Sequence, residues 1–259
     1  MLFHAGYSYE TLNTARSALS NLCELEDGHS VGHHPMIIRF MTGVFNLRPT
    51  KPKYTDTWDV SKVLCYLKTL SPVEKVSLKL LSYKLAMLLA LTQASRSQSI
   101  SLITLDGMKK DEQSFTMYYS GLLKQCRKGR KNPILTLKKY TPDRRLCVFH
   151  TLIEYLSRTR AIRGDEKRLF ISYIKPFKAV ASTTVSRWIK GVMKLSGIDI
   201  DVYKSHSTRG ASTSKAKDSG VPLPEILKVA GWASDRTFAD FYDKPVTSQE
   251  QPFQEAVLK

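Results

Sequence analysis

The chain has 259 residues, 42% hydrophobic and 10% aromatic, enough apolar material for one large domain with a small appendage and too much for a disordered chain. Forty Lys and Arg against 23 Asp and Glu leave a net charge of +17 and a pI near 9.7, which points to a polyanionic partner, nucleic acid first among them. Cys23, Cys65, Cys126 and Cys147 are scattered, His33 and His34 have no second ligand pair at metal spacing, and the apolar run Leu85–Leu91 is too short to span a bilayer. These features exclude a disulfide framework and argue against a metal site, a cofactor or a membrane partner. With no signal peptide at the start, they predict a soluble intracellular protein.

Residues 8–22 predict a helix with Leu12, Ala15, Leu19 and Leu22 on one stripe, and residues 34–46 a second, with Pro35 near its start. The stretch RPTKPKYTDTW follows, with two prolines and three cations, and reads as an extended basic linker. The expected organisation is therefore a partial helical segment over 1–46, a linker over 47–58 and a main domain over 59–259. In the main domain, helices are predicted over 59–69 and 78–94, then strands over 101–105, 114–119 and 134–137, the last two separated by the basic stretch SGLLKQCRKGRKNP. Further helices follow over 145–158, 181–195, 205–218, 223–230 and 235–243, then a short polar tail from Thr247. The fold class is mainly α (α+β), a helical domain carrying a small three-stranded antiparallel sheet.

Several segments could carry chemistry. In SHSTRG, His206 and Arg209 are three apart, so on a helix they share a face and could clamp a phosphate, Arg with a bidentate fork and His with one directional hydrogen bond; a solvated helix face explains them equally well. In GWASDRTFADFYDK, Phe238 and Tyr242 are four apart, and local reading makes them core; Trp232 just before adds an N–H donor. Arg96 ends an apolar helix just before a strand and needs an anionic partner, a carboxylate or a bound phosphate. The basic connection holds Lys124, Arg127, Lys128, Arg130 and Lys131, either a solvated loop or a hairpin that reaches into a DNA groove, where one lysine could donate a proton.

Taken in order, Arg96, a hairpin Lys, His206-x-x-Arg209, Trp232 and Tyr242 resemble the tyrosine recombinase (phage-integrase) family. The segments ASRSQSI, LLKQCRKG, SHSTRGASTSKA and AGWASDRTFADFYDKP are most similar to recombinases of eukaryotic DIRS- and Crypton-like mobile elements, over roughly residues 60–246. The resemblance implies metal-independent cleavage and rejoining of double-stranded DNA, for recombination or integration of a mobile element. Tyr242 would be the nucleophile that forms a 3′-phosphotyrosine, Arg96 and Arg209 would hold the phosphate oxygens, His206 and Trp232 would add hydrogen bonds, and Lys124 would protonate the leaving 5′ oxygen. Lys128 or Lys131 could replace Lys124 in that role. It also implies multimers on DNA and action in the nucleus. The candidate contacts to the DNA backbone are Lys51, Lys53, Arg127, Lys128, Arg130, Lys131, Arg187 and Lys204.

Three departures from the family pattern stand out. Ser99 occupies a position where many relatives have an acid. Tyr242 lies ten residues after Trp232, one more than in many bacterial relatives, which rotates it by about 100° unless a longer turn absorbs the residue. About two helices fit before the linker, fewer than the family's usual clamp, as in a fragment or a shortened derivative. The alternatives are a DNA-binding derivative that no longer cleaves, a type IB topoisomerase-like enzyme, and a non-enzymatic helical protein that binds DNA or RNA.

Overall fold

The computed structural model describes residues 1–246 except 24, 26–27, 50–53, 125, 127–131 and 233, and for 237, 240 and 241 it describes the backbone alone. The chain forms two compact units, Met1–Tyr54 and Thr55–Lys259. In the first, helix α1 (Tyr9–Leu22) begins where the Ser8 hydroxyl accepts the Thr11 amide, and α2 (Pro35–Leu47) where the His34 ring accepts the Met36 amide. Pro35 fits the first turn because its missing N–H would have no intrahelical partner there. The helices pack over Leu12, Met41 and Val44, flanked by Phe3, Tyr9 and Ile37. Arg48 lies 4.2 Å from the Phe3 ring centre and donates to the carbonyls of Phe3 and Tyr7.

The second unit is built around one apolar helix. After α3 (Val60–Thr69), capped by Asp59, and a 3₁₀ turn at Val73–Lys75, helix α4 (Leu78–Thr92) starts at the Ser77 cap. Residues Leu81, Leu85, Met87, Leu88 and Leu89 put apolar side chains on every side of α4, so it has no face to offer water and is enclosed. Helices α5 (Ser97–Ser101), α6 (Val148–Thr159), α7 (Ser182–Leu195) and α8 (Ser207–Asp218) pack against it. Strands β1 (Ile103–Lys110), β2 (Ser114–Tyr119) and β3 (Leu135–Lys138) form an antiparallel sheet in the order β1-β2-β3, with Ile103 opposite Tyr119 and Phe115 opposite Leu137. The inward face of β2 carries Phe115 and Met117, buried two residues apart as a pleated strand requires. Helices α9 (Leu223–Ala230) and α10 (Asp235–Phe241) complete the unit. Among the described residues no helix is long and apolar enough to cross a membrane.

The architecture is the mainly helical one expected, with its three-stranded sheet, and the differences are local. The strand expected over 101–105 begins at Ile103, because Ser101 still belongs to α5, whose last turn is closed by the Leu102 amide on the carbonyls of Gln98 and Ser99. It then runs on to Lys110 through an irregularity between Thr104 and Lys109. The helix expected from residue 145 starts at Val148, since Asp143 caps a separate 3₁₀ turn at Arg144–Leu146. Lys84 does not interrupt the apolar core but is part of it. It is 0% exposed, and its ammonium donates to the Leu70 carbonyl at 2.7 Å, closing the end of α3, and to the Ser71 hydroxyl at 3.2 Å. Burial pushes its pKa down to about 8.

The end of the basic linker stretch is also ordered against the second unit. Thr57 and Trp58 are buried; the Thr57 amide donates to the Pro245 carbonyl at 2.8 Å, and the Trp58 indole donates to the Ser207 hydroxyl at 2.9 Å.

Candidate active site

The candidate site is assembled on α8, whose sequence STRGASTSKAKD has almost no apolar side chain. Such a helix reads as solvated, yet Ser207, Thr208, Arg209, Ala211, Thr213 and Ser214 are buried. Two features allow this. The residues are small, so α8 can approach its neighbours closely. The hydroxyls also satisfy themselves on nearby carbonyls: Thr208 on Ser205 at 2.6 Å, Thr213 on Arg209 at 2.8 Å, and Ser207 on Lys204 at 2.7 Å. His206, at the N-cap of α8, is exposed, whereas Arg209, three residues on, is 2% exposed.

Arg209 is held by main-chain oxygens. One terminal nitrogen donates to the Ala94 carbonyl at 2.7 Å and the other to the Ala230 carbonyl. Ala94 has φ +42°, a left-handed conformation that costs an alanine about 1–2 kcal/mol. Ser99, in α5, lines a cleft of about 690 Å³ with Arg209, Ser95, Tyr119, Glu225 and Lys228. Burial, and then the positive charge of Arg96, push the Arg209 pKa down to about 10, against the opposing influence of Tyr242. Arg209 therefore stays protonated at neutral pH.

Trp232 is placed by the end of α9. Gly231 adopts φ +66°, and the Trp232 amide returns to the Leu227 carbonyl at 3.0 Å, the closure that a left-handed glycine permits at a helix terminus. The turn carries the Trp232 ring to 4.6 Å from the Arg209 guanidinium carbon and 4.3 Å from the centre of the Tyr242 ring. The ten-residue spacing thus leaves Trp232 and Tyr242 stacked. Tyr242 lies one residue beyond α10, not inside the helix expected over 235–243, although its amide still donates to the Phe238 carbonyl at 2.8 Å. Its hydroxyl lies 3.2 Å from His206 Nε2. Inside this cluster the Arg209 Nε and Trp232 Nε1 donors are buried and have no hydrogen-bond partner among the described residues.

The structure thus brings together His206, Arg209, Trp232 and Tyr242, with Arg96 near enough for its charge to act on Arg209. Arg96 is half-buried and caps the start of α5; it does not directly precede a strand. Lys124 is exposed in the connection between β2 and β3. Arg187 is exposed on α7 and donates to Thr184 at 3.1 Å, whereas Lys204 is half-buried and its ammonium donates to the carbonyls of Ile200 and Asp201. Lys51, Lys53, Arg127, Lys128, Arg130 and Lys131 lie outside the described residues. Sequence reasoning did not find Ser214, whose hydroxyl donates to the Tyr242 carbonyl at 2.7 Å, or Trp58, buried beside Ser207; pairings across 28 and 149 residues leave no local signal.

No protein-family model and no curated protein matches the sequence. Solved structures do match the fold. The XerH site-specific recombinase bound to a palindromic difH substrate in a post-cleavage complex aligns at TM-score 0.64 and 14% identity, over 99% of this chain and 69% of that one. The pre-cleavage XerH complex aligns at 0.58 and 15%, over 95% of this chain and 62% of that one, so this chain spans less than two thirds of that recombinase. The Tn1549 transposon integrase in complex with transposon right-end DNA aligns at 0.59 and 12%, over 100% and 82%. At these identities the likeness speaks to the fold, and the fold is that of the tyrosine recombinase catalytic domain, a helical array with a three-stranded antiparallel sheet.

Proposed function

We propose that this chain cleaves and rejoins double-stranded DNA through a covalent bond between Tyr242 and a DNA phosphate. The observation that carries the reading is the cluster itself: the Tyr242 hydroxyl 3.2 Å from His206 Nε2, beside a buried Arg209 and Trp232 that each keep an N–H donor with no acceptor among the described residues. A buried donor without an acceptor costs about 1–3 kcal/mol, more when charged, so two in one cluster favour an incoming anionic oxygen. A phosphodiester supplies such oxygens, and a net charge of +17 favours its arrival.

In this reading the Tyr242 oxygen gives up its proton to His206 Nε2, 3.2 Å away, and attacks phosphorus, and the bond to the 5′ oxygen breaks. Arg96 and Arg209 stabilise the charge that builds on the non-bridging oxygens, and the Trp232 N–H and His206 bond the same phosphate. Lys124 gives its proton to the departing 5′ oxygen. The phosphotyrosine keeps the energy of the broken bond, so a second DNA end can be joined in the reverse sense without another energy source. The finer expectations go with this reading: multimers on DNA, a mobile-element context close to DIRS and Crypton elements, action in the nucleus, and chemistry that needs no metal because the arginines carry the charge.

The test is a pool of nicked duplexes with randomised flanks, incubated with the protein and resolved on denaturing gels. The expected result is a DNA–protein adduct that Tyr242→Phe abolishes. An adduct that survives in that variant removes Tyr242 as the nucleophile. Salt-sensitive duplex binding with no adduct from the pool would make the chain a DNA-binding protein.

A further inference from the structure

Tyr242 sits in a turn, and its reach depends on what holds that turn. Helix α10 has ended, and its last grip is the Phe238 carbonyl, which accepts the amides of both Tyr242 and Asp243 at 2.8 Å. Beyond that point α8 takes over. The Ser214 hydroxyl, in a residue 1% exposed, donates to the Tyr242 carbonyl at 2.7 Å and accepts the Lys244 amide at 3.2 Å. One turn earlier on the same face, Gly210 lies under the ring, where a Cβ would stand 3.8 Å from Tyr242 Cδ1. Two other ties are present. Lys217 pairs with Asp243 at the surface, where such a pair contributes little, and the Thr57 amide bonds the Pro245 carbonyl at 2.8 Å.

We propose that Ser214 is a positioning residue for Tyr242. Its single hydroxyl bonds the peptide groups on both sides of the Tyr242–Lys244 turn, and because it projects from α8 it ties that turn to the helix that carries Arg209 and follows His206. The nucleophile and two of the phosphate-binding groups, His206 and Arg209, are thereby placed by one rigid element. Ser214 touches neither the reacting atoms nor the phosphate; it acts through the backbone of Tyr242. A misplacement of about 1 Å at a reacting group costs on the order of a hundredfold in rate, so an anchor at this point governs whether the hydroxyl is in range.

The inference rests on the strand-transfer reading for its kinetic consequence but not for its geometric one, and two measurements separate them. In protein labelled with 3-fluorotyrosine, the Tyr242 fluorine resonance is assigned by its loss in Tyr242→Phe; stacking on Trp232 at 4.3 Å shifts it from the free-tyrosine position. Ser214→Ala is expected to move it towards that position, with the remaining tyrosines of the 12 in the chain unchanged, while Lys217→Ala leaves it in place. An unchanged resonance in Ser214→Ala overturns the proposal. In single-turnover assays on the captured duplex, Ser214→Ala is expected to slow adduct formation about 10- to 100-fold with duplex Kd within twofold of the parent. A Ser214→Ala variant that only melts earlier, with the single-turnover rate kept well below its Tm, also overturns it. If the resonance moves but the parent protein forms no adduct, Ser214 still positions Tyr242 and the strand-transfer reading is what fails.

Discussion

Among the described residues of the second unit two cations are buried, and the regions around them differ in what they leave over. At the foot of the core, Lys84 is 0% exposed and spends its charge on the Leu70 carbonyl and the Ser71 hydroxyl. At the junction of α8 and α9, Arg209 is 2% exposed and also rests on main-chain oxygens, those of Ala94 and Ala230. Burial lowers both pKa values, Lys84 to about 8 and Arg209 to about 10, so lysine can shed its proton at moderately alkaline pH whereas arginine keeps its charge through the neutral range. The larger difference lies in the donors. Arg209 Nε and the neighbouring Trp232 Nε1 are buried and have no partner among the described residues. A buried cation that its own backbone satisfies closes a helix end. One that keeps donors in reserve, beside the Tyr242 hydroxyl, suits the anion that the proposed function calls for.

The largest break in this comparison comes from giving the second region the residue of the first. Arg209→Lys keeps a positive charge near the Ala94 and Ala230 carbonyls but removes the planar fork and the spare Nε donor. Adduct formation is expected to fall by about 10²–10³-fold, the loss typical of a donor aimed at transition-state charge, with Tm little changed. A variant that forms adduct within tenfold of the parent would show that charge alone suffices and that the spare donor has no role.

The converse change, Lys84→Met, should leave adduct formation untouched and show itself only in stability. The sign follows from linkage. The folded pKa of about 8 lies below the unfolded value of 10.5, so between these pH values the unfolded chain binds more protons, and stability rises with pH across that window. The gain is at most about 3 kcal/mol at 1.36 kcal/mol per pH unit. Urea titrations of parent and variant at pH 7, 8.5 and 10 read the effect: the parent should gain stability relative to Lys84→Met as pH rises. A pH-independent difference would mean that Lys84 stays charged throughout, and the contrast with Arg209 would lose its basis.

Much of this architecture is legible in the sequence wherever the signal is local. Pro222 and Gly231 bracket α9, alternation marks β2, and helical periodicity marks α1, α2 and α7 to within a residue at either end. Three features escape such reading. Helix α5 has five residues, too few for a period, so Ser101 reads as strand. The buried face of α8 is made of hydroxyls and small side chains, which local pattern cannot tell from a solvated face. Lys84 looks like an interruption because its partners lie 13 and 14 residues away, at the end of α3. In the site, the spacing His206-x-x-Arg209 is visible, but the two residues do opposite things, one exposed and one buried, and only packing against Ala94 and Ala230 decides which.

The smallest change tests the open donor itself. Trp232→Phe keeps an aromatic ring against Tyr242 and Arg209 but deletes Nε1–H, the donor that is buried without a partner among the described residues. In the free protein two effects oppose each other: removing an unsatisfied donor relieves about 1–3 kcal/mol, and the smaller ring leaves unfilled space that costs a similar amount. Stability should therefore stay within about 1 kcal/mol of the parent. Catalysis should not be so balanced, because one hydrogen bond to a charged acceptor is worth about 1.5–3 kcal/mol, roughly ten- to a hundredfold in adduct rate. Trp232→His, which returns a ring N–H on a smaller side chain, should recover part of that loss even though it packs less well. If Trp232→Phe cleaves at the parental rate, the unpaired indole is a by-product of packing, and Arg209 alone separates the site from the foot of the core. If the rate falls while stability holds, the unmet hydrogen bond is a property of the free protein that the DNA phosphate relieves.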